Sequence, residues 1–279
     1  MWAFFRLVHA SVRFGLILFS YLWQMLLRRL FGEKFAAKRW DKVHRKNARR
    51  MYRSIIRLRG VYIKLGQVLS IMGTFLPKAY SEELEGLQDQ VPAHPWRAVE
   101  KTFLDSLGRR PFELFDQFDE VPIAAASLGQ VHKASLADGT QMAVKILYPN
   151  IHTVIRIDLV VVRWIMTVYG WFVPMNAMHR VVEQLEDLLR RETDLRHEAN
   201  CMERMEKNFA SDPDVLFPKV DWERTSDKVL TMTFMPGCKI SRREEIEALG
   251  LDPSDVAKKL VEAFYKQVFL DRFFHADPH

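Results

Sequence analysis

Lys145 ends the short run Met142-Ala143-Val144-Lys145, which follows Val121-Pro122-Ile123-Ala124-Ala125-Ala126-Ser127-Leu128-Gly129-Gln130-Val131 across Asp138-Gly139. An Asp-Gly pair between two apolar runs is the strongest short-range signal for a β-hairpin. The lysine is therefore expected on a strand that returns beneath the first run. That layout suits phosphate, because backbone N–H groups of a loop cover the oxygens while an ammonium neutralises their charge. Lys145 by itself would fit an ordinary surface hairpin; loop, turn and lysine together point to a nucleotide. Downstream, Glu192, Asp194 and Glu198 supply carboxylates for lysines, and the chain closes on His275-Ala276-Asp277-Pro278-His279. A His-x-Asp triplet can place a carboxylate where it orients an attacking hydroxyl.

Against the protein-kinase loop pattern G-x-G-x-x-G-x-V, Ala124 and Ala126 occupy the first two glycine positions. Gly129 and Val131 match the last two fixed positions, and Lys145 matches the lysine of V-A-I-K. The expected phosphate-side contacts are Ala124, Ala125, Ala126, Ser127, Gly129, Val131 and Lys145. An alanine Cβ makes positive φ costly. The loop should therefore stand further off the phosphates than a Gly-x-Gly loop does.

These groups need elements to hold them. A basic helix is expected over residues 34 to 59, followed by Lys64-Leu65-Gly66-Gln67, in which Gly66 read alone is a helix terminator. Gln90-Val91-Pro92-Ala93-His94-Pro95 marks a break, and residues 95 to 110 read as an amphipathic helix ending near Leu107-Gly108. One charged helix is expected from about 179 to 209, with Asp194 and Glu198 sharing a face that Glu192 does not share with Asp194. Strands are expected at 217 to 220 and 229 to 234, the second ended by Pro236-Gly237. A last helix starts at Asp252 or Ser254 and runs towards Phe274. The uncharged stretch Trp164 to Met178, interrupted by Gly170, Pro174 and Asn176, reads as a buried helix end.

With 48% hydrophobic and 12% aromatic residues, 279 residues can bury a sizeable core in one large or two smaller domains. Composition argues against disorder and against a fibrous repeat. Cys201 and Cys238 offer neither a disulfide framework nor paired metal-ligand spacing, and are expected to be buried thiols of a reducing compartment.

The net charge of +6 is uneven. Residues 1–60 hold 15 Lys and Arg against Glu33 and Asp41, a balance of +13, which leaves −7 for the remainder. Such an end could meet nucleic acid or an anionic membrane. Its neighbours favour the membrane: the first thirty residues carry Trp2, Phe4, Phe5, Phe14, Phe19, Tyr21 and Trp23 and no acid. The uncharged run Phe14–Leu27 would rise only about 21 Å as a helix, short of the roughly 30 Å hydrocarbon core. An interfacial or re-entrant helix is expected, with Arg28, Arg29 and the following basic stretch on the headgroups.

Taken in order, these motifs resemble the UbiB family of atypical kinase-like proteins, also called AarF or ADCK. The most specific is K-x-G-Q followed by a serine, here Lys64, Gly66, Gln67 and Ser70, placed before the lobe where ordinary kinases have nothing comparable. The alanine-rich loop, Lys145, the E-x-D motif at Glu192 and Asp194, and Glu198 as the lysine's partner follow. The resemblance implies an α+β, protein-kinase-like small lobe of antiparallel sheet plus helices, with a family-specific helical extension before it and only the start of a helical large lobe. The expected divisions are 1–32, a membrane-associating helix; 33–115, the extension; 116–237, the small lobe; and 238–279, the start of the large lobe.

It also implies binding of ATP or ADP with Mg²⁺, the adenine held near Met232 and Phe234 and the catalytic residues being Lys145, Glu198 and Asp277. Lys64, Gly66, Gln67, Ser70, Glu192 and Asp194 would form a regulatory motif folded over the place of a protein substrate. The metal ligands of the family, in Pro-Gly-Asn and Asp-x-Gly segments, would lie beyond residue 279. No metal ligand is expected within this chain, which is expected to be a fragment unable to transfer phosphate alone. Implied partners are adenine nucleotide, an anionic membrane, and prenyl lipid or lipid-biosynthesis proteins, with no nucleic acid. The implied location is a bacterial inner membrane facing the cytoplasm or a mitochondrial inner membrane, and the implied role lies in ubiquinone or other prenyl-lipid biosynthesis. The alternative is a non-catalytic, nucleotide-responsive pseudokinase scaffold. The chain departs from the family in lacking Arg and Asp after the motif serine, where Met72 and Thr74 stand, and in Thr233, where an acid is usual.

Overall fold

The structure is a computed structural model that describes residues 2–71, 77–87, 93–170 and 178–275. Helices α1 (Trp2–Phe31) and α2 (Glu33–Leu58) reverse direction through Gly32 alone, at φ 84°, a backbone conformation that side chains resist. The two run antiparallel, as paired residues show: Asn47 donates to the Ser20 hydroxyl at 2.5 Å, and the Tyr21 hydroxyl lies 2.9 Å from His44 Nδ1. Arg59 and Gly60, both at positive φ, then turn the chain into α3 (Val61–Ile71), and α4 (Lys78–Leu84) follows. Ile55, Tyr62, Ile63, Leu84 and Leu87 are buried together with Ala10 and Phe14 of α1. The same apolar cluster continues into Leu128, Leu147 and Leu230, so the N-terminal helices and the sheet share one core.

Helix α5 (Trp96–Leu107) starts after Pro95 and is stopped by Gly108 in the left-handed region, φ 70°. After the single turn α6 (Pro111–Leu114) come five strands: β1 (Gln117–Phe118), β2 (Ala124–Ala125), β3 (Gly129–Ser135), β4 (Gln141–Leu147) and β5 (Val229–Thr233). They form one antiparallel sheet in the order β1-β3-β4-β5, with β2 also on β3. The β3–β4 loop is closed by Leu136 N–H to Thr140 O and Gly139 N–H to Leu136 O, with Asp138 accepting from Thr140 N at 2.9 Å. The Asp-Gly turn thus does what its sequence announces.

Directly opposed residues share a face. The register Val131↔Lys145↔Leu230 and Ala143↔Met232 gathers these five on one side. The other side presents Ala134, Met142, Val144 and Ile146 to Val99 and Phe103 of α5 and to Phe118. Sheet polarity therefore places Lys145 away from the aromatic core and towards the later helices, α7 (Ile151–Gly170), α8 (Met178–Glu192) and α9 (Leu195–Asn208). After β5 come α10 (Arg243–Ala248) and α11 (Pro253–Tyr265), the latter capped by Asp252 and prolonged by a π-turn over Lys266–Leu270.

The structure differs from the expectations at several places. The single helix over 179 to 209 is two helices broken at Thr193-Asp194. Residues 217 to 220 form no strand; Val220 makes one isolated bridge to Met232. In the stretch expected as a buried helix end, Trp164 is exposed while Ile165 and Met166 are partly buried against the core, and residues 171–177 lie outside the described residues. Both cysteines are unpaired and half-buried rather than buried. Gly66 lies inside α3 and terminates nothing. Helix α1 is continuous, and Phe4–Phe31 is long and apolar enough to cross a membrane by length and composition. The charge-free run undercounted its length because the helix carries its arginines along.

Candidate functional site

Lys145 sits in the middle of β4, and its ammonium lies 2.8 and 2.7 Å from the two carboxylate oxygens of Glu198. The pair is positioned from both ends. On the sheet side, Lys145 is flanked by Val131 and Leu230 in register. On the helix side, Asp194 caps α9 by accepting from His197 N at 3.0 Å, and Leu195, fully buried, donates its N–H to Asp227 O at 3.0 Å. Glu198 then falls in the first turn of α9, where a carboxylate complements the helix dipole. Both side chains remain partly open, 26% and 35% exposed. An ion pair so exposed contributes only about 0–1 kcal/mol. Its consequence is geometric, since it keeps an ammonium pointed along the open face of the sheet.

Above that face the β2–β3 connection is a tight turn. Ala124 pairs with Val131 and Ala125 with Gln130, and the Ala126 N–H donates to Gly129 O at 2.8 Å. One of the alanine N–H groups is therefore already bonded within the turn. Ala126 itself adopts no positive φ. Ser127 and Leu128 at the tip are buried. Gly129 is required for contact rather than for φ: a Cβ there would come within 2.6 Å of Ile146 O on the neighbouring strand, a distance that backbone cannot relieve. Met232 and Phe234 lie along and just past β5, and the Phe234 N–H donates to Gln141 O at 2.9 Å.

The K-x-G-Q segment occupies α3. Lys64 pairs with Glu192, the last residue of α8, at 2.5 Å, and the Gln67 amide donates to Leu87 O at 3.2 Å. At Gly66 an added Cβ would run into the Leu87 side chain and approach Ile55 Cδ1 to 3.1 Å. The glycine of the motif lets α3 pass close to its neighbours. Glu192 thus meets the motif lysine, as expected, whereas exposed Asp194 serves as the cap of α9. The break between α8 and α9 lets two carboxylates two residues apart do separate work. Ser70 lies in α3, but its side chain, like Met72, Thr74 and Asp277, is outside the described residues.

Three residues that the sequence did not single out brace the loop. The Tyr148 hydroxyl donates to Ala126 O at 3.1 Å and its N–H to Leu128 O at 2.9 Å. The His94 ring stacks on Tyr148 with centroids 3.9 Å apart, and the His94 N–H donates to Gln130 Oε1 at 2.9 Å. Burial pushes the His94 imidazole down to about 4, helped by Arg59. The only sequence sign of these contacts is an aromatic residue just past the lysine strand. An open cleft of about 280 Å³ between α2 and α4 is lined by arginines and glutamates, including the pair Arg49–Glu83 at 2.9 Å. Its charges neutralise each other, and it shares no residue with the lysine site. Among the described residues no three His, Cys, Asp or Glu side chains come together to hold a metal.

The sequence pattern of the ABC1 atypical kinase-like domain matches residues 86–279. The chain is 34% identical over 220 residues to the probable serine/threonine-protein kinase abkD of Dictyostelium discoideum, covering 79% of this chain and 32% of that protein. An uncharacterized protein of Synechocystis is 33% identical over 273 residues, 92% of this chain and 46% of its own length. The chain thus spans a third to a half of the curated relatives it matches. Among solved structures, the complex of Rv3197 with erythromycin from Mycobacterium tuberculosis aligns with a TM-score of 0.52 at 28% identity, over 87% of this chain and 62% of that one.

Proposed function

The chain belongs to the ABC1 atypical kinase-like family, and from that premise we propose that it is the nucleotide-binding part of a membrane-associated atypical kinase or ATPase. The observation that carries the reading is the Lys145–Glu198 pair, bonded through both carboxylate oxygens on the open face of the sheet under the alanine loop. In this role Lys145 neutralises phosphate oxygens, Glu198 holds it in place, and the loop backbone from Ala124 to Gly129 covers the phosphates. Adenine lies against Val131 and Ala143 and reaches the backbone near Met232 and Phe234. Asp277 is the proposed catalytic-loop carboxylate on its sequence position alone. Mg²⁺, when bound, would neutralise phosphate charge; among the described residues no three His, Cys, Asp or Glu side chains come together to hold it.

Lys64 and Glu192 fasten the K-x-G-Q helix to the end of α8, immediately before the helix that carries Glu198. That fastening supports a family-type role in which the extension replaces a protein substrate, with ubiquinone or other prenyl-lipid metabolism as the proposed context. The membrane assignment draws support from α1 and from the basic α2. A non-catalytic, nucleotide-responsive scaffold is favoured by one specific observation, the Ala126 N–H donated within its own turn. Turnover decides between them: binding without hydrolysis or transfer selects the scaffold.

Thermal-shift titration with ATP and with ADP tests the site itself. Wild type should be stabilised, and Lys145→Met should need at least roughly tenfold more nucleotide, as expected for loss of a charge-assisted contact of about 1.5–3 kcal/mol. Equal stabilisation of the two proteins would remove Lys145 from the site.

A further inference from the structure

Helix α1 turns polar groups inward, with Arg28 and Arg29 in its last turn exposed. The side packed on the body carries Arg6, Ala10, Phe14, Ser20, Tyr21 and Gln24, and most of these polar groups are engaged. Arg6 clasps Asp158 of α7 at 2.8 and 2.6 Å, Ser20 accepts from Asn47, and Tyr21 meets His44 and Tyr80. The opposite side is purely apolar: Phe5, Val12, Leu16, Phe19, Trp23 and Leu30 are between 52 and 64% exposed. At 100° per residue these six fall within about 60° of one another, a strip roughly 38 Å long. A strip of this size on the outside of a folded protein marks an interaction surface. Beside it runs α2, whose exposed side chains include Lys34, Arg39, Lys42, Lys46 and Arg53.

We propose that α1 and α2 lie flat on an anionic membrane, with the strip of α1 sunk to the headgroup boundary along its whole length, and that α1 does not cross the bilayer. This deepens the membrane reading above and rests on it. An apolar strip flanked by a cationic helix matches the boundary between acyl chains and anionic headgroups. Crossing would take the packed side of α1 into hydrocarbon together with α2, whose cations cannot remain there unpaired. Length permits α1 to span; its attachment to a basic neighbour forbids it. A second copy of the chain could also cover the strip, but two such surfaces would bring two basic helices together.

The test uses the whole chain with Cys201→Ser and Cys238→Ser, and a nitroxide or fluorophore placed singly at positions 5, 12, 19 and 30. It is mixed with vesicles of phosphatidylcholine, with and without one-third phosphatidylglycerol. All four labels should report the same shallow depth, on anionic vesicles only, and binding should weaken with salt. Val12→Glu with Phe19→Glu should lower vesicle partitioning roughly a hundredfold, about a decade for each such side chain, with an unchanged circular dichroism spectrum. Labels 12 and 19 at the bilayer centre, with 5 and 30 in opposite leaflets, overturn the flat arrangement and leave the membrane reading standing. Labels in water with no co-sedimentation overturn both. Labels shielded without lipid, in a protein of doubled mass, would assign the strip to a second copy instead.

Discussion

Gly129 and His94 show how much of the loop's geometry rests on single residues. In Gly129→Ala the new Cβ meets Ile146 O at 2.6 Å and Ile146 C at 3.2 Å, and both are backbone of the central strand. Overpacking of this kind costs about 1–3 kcal/mol, and the melting temperature should fall by about 5–10 °C. An unchanged melting temperature would mean the β3–β4 approach is looser than this. His94 offers a pH signature. Its imidazole, held near 4 by burial, stays neutral in the folded chain while the unfolded one takes a proton below about 6.5. Stability from this group is therefore complete above pH 6.5 and is lost as pH falls towards 4. Wild type should lose up to about 2 kcal/mol more than His94→Gln over that window, after discounting for partial exposure. Urea denaturation at pH 7 and 4.5 measures it, and parallel losses in the two proteins would refute it.

The E-x-D motif becomes intelligible once α8 and α9 are seen as separate elements. Periodicity alone ran them together, because Glu192 through Glu198 is as charged and as helix-compatible as the residues on either side. What divides them is local hydrogen bonding: the Thr193 hydroxyl donates back to Leu189 O at 2.8 Å, and Asp194 turns its carboxylate onto the His197 N–H at 3.0 Å. Asp194→Ala should cost about 1 kcal/mol, while Asp194→Asn should cost far less, since asparagine caps a helix as well as aspartate does. Loss of the cap frays the turn that holds Glu198, so the alanine variant should also bind nucleotide more weakly and the asparagine variant normally. Equal defects in both variants, by the same thermal-shift titration, would point to a need for the charge of Asp194 rather than its cap.

The molecule as a whole is tied together by its N-terminal helix. Arg6 and fully buried Asp158 join α1 to α7 beside Tyr62 of the K-x-G-Q helix. Breaking one side of a buried pair leaves an uncompensated charge, so Arg6→Ala should destabilise the fold by about 3–5 kcal/mol, whereas Arg6→Met with Asp158→Leu should be close to neutral. Chemical denaturation of the three proteins checks the ordering; a harmless Arg6→Ala would mean that α1 is not integral to the core. Burial pushes the Asp158 carboxyl up to about 6 despite Arg6. This group therefore favours the folded state more below about pH 4 than above pH 6, opposite in sign to His94, and the pH test needs the His94 variant as its reference. Deleting residues 1–32 removes Arg6, Ala10 and Phe14 from the core, so truncation would unfold as well as release.

The order of the motifs, the Asp-Gly hairpin, the lysine strand and the fold class were legible in the sequence, because each depends on local turn chemistry or on a period of two. The pairing of Lys145 with Glu198 was legible through family likeness, and the strand register then supplied its physical cause. Four things became clear only in the tertiary structure. Asp194 is a cap, Gly66 is a close-packing site, Tyr148 and His94 support the loop, and α1 turns its polar side inward. Each of these rests on contacts between residues far apart in the chain or on a helix break that periodicity does not mark. A sequence records which side chains are available along an element, but which of its faces is covered is decided by the elements that pack against it.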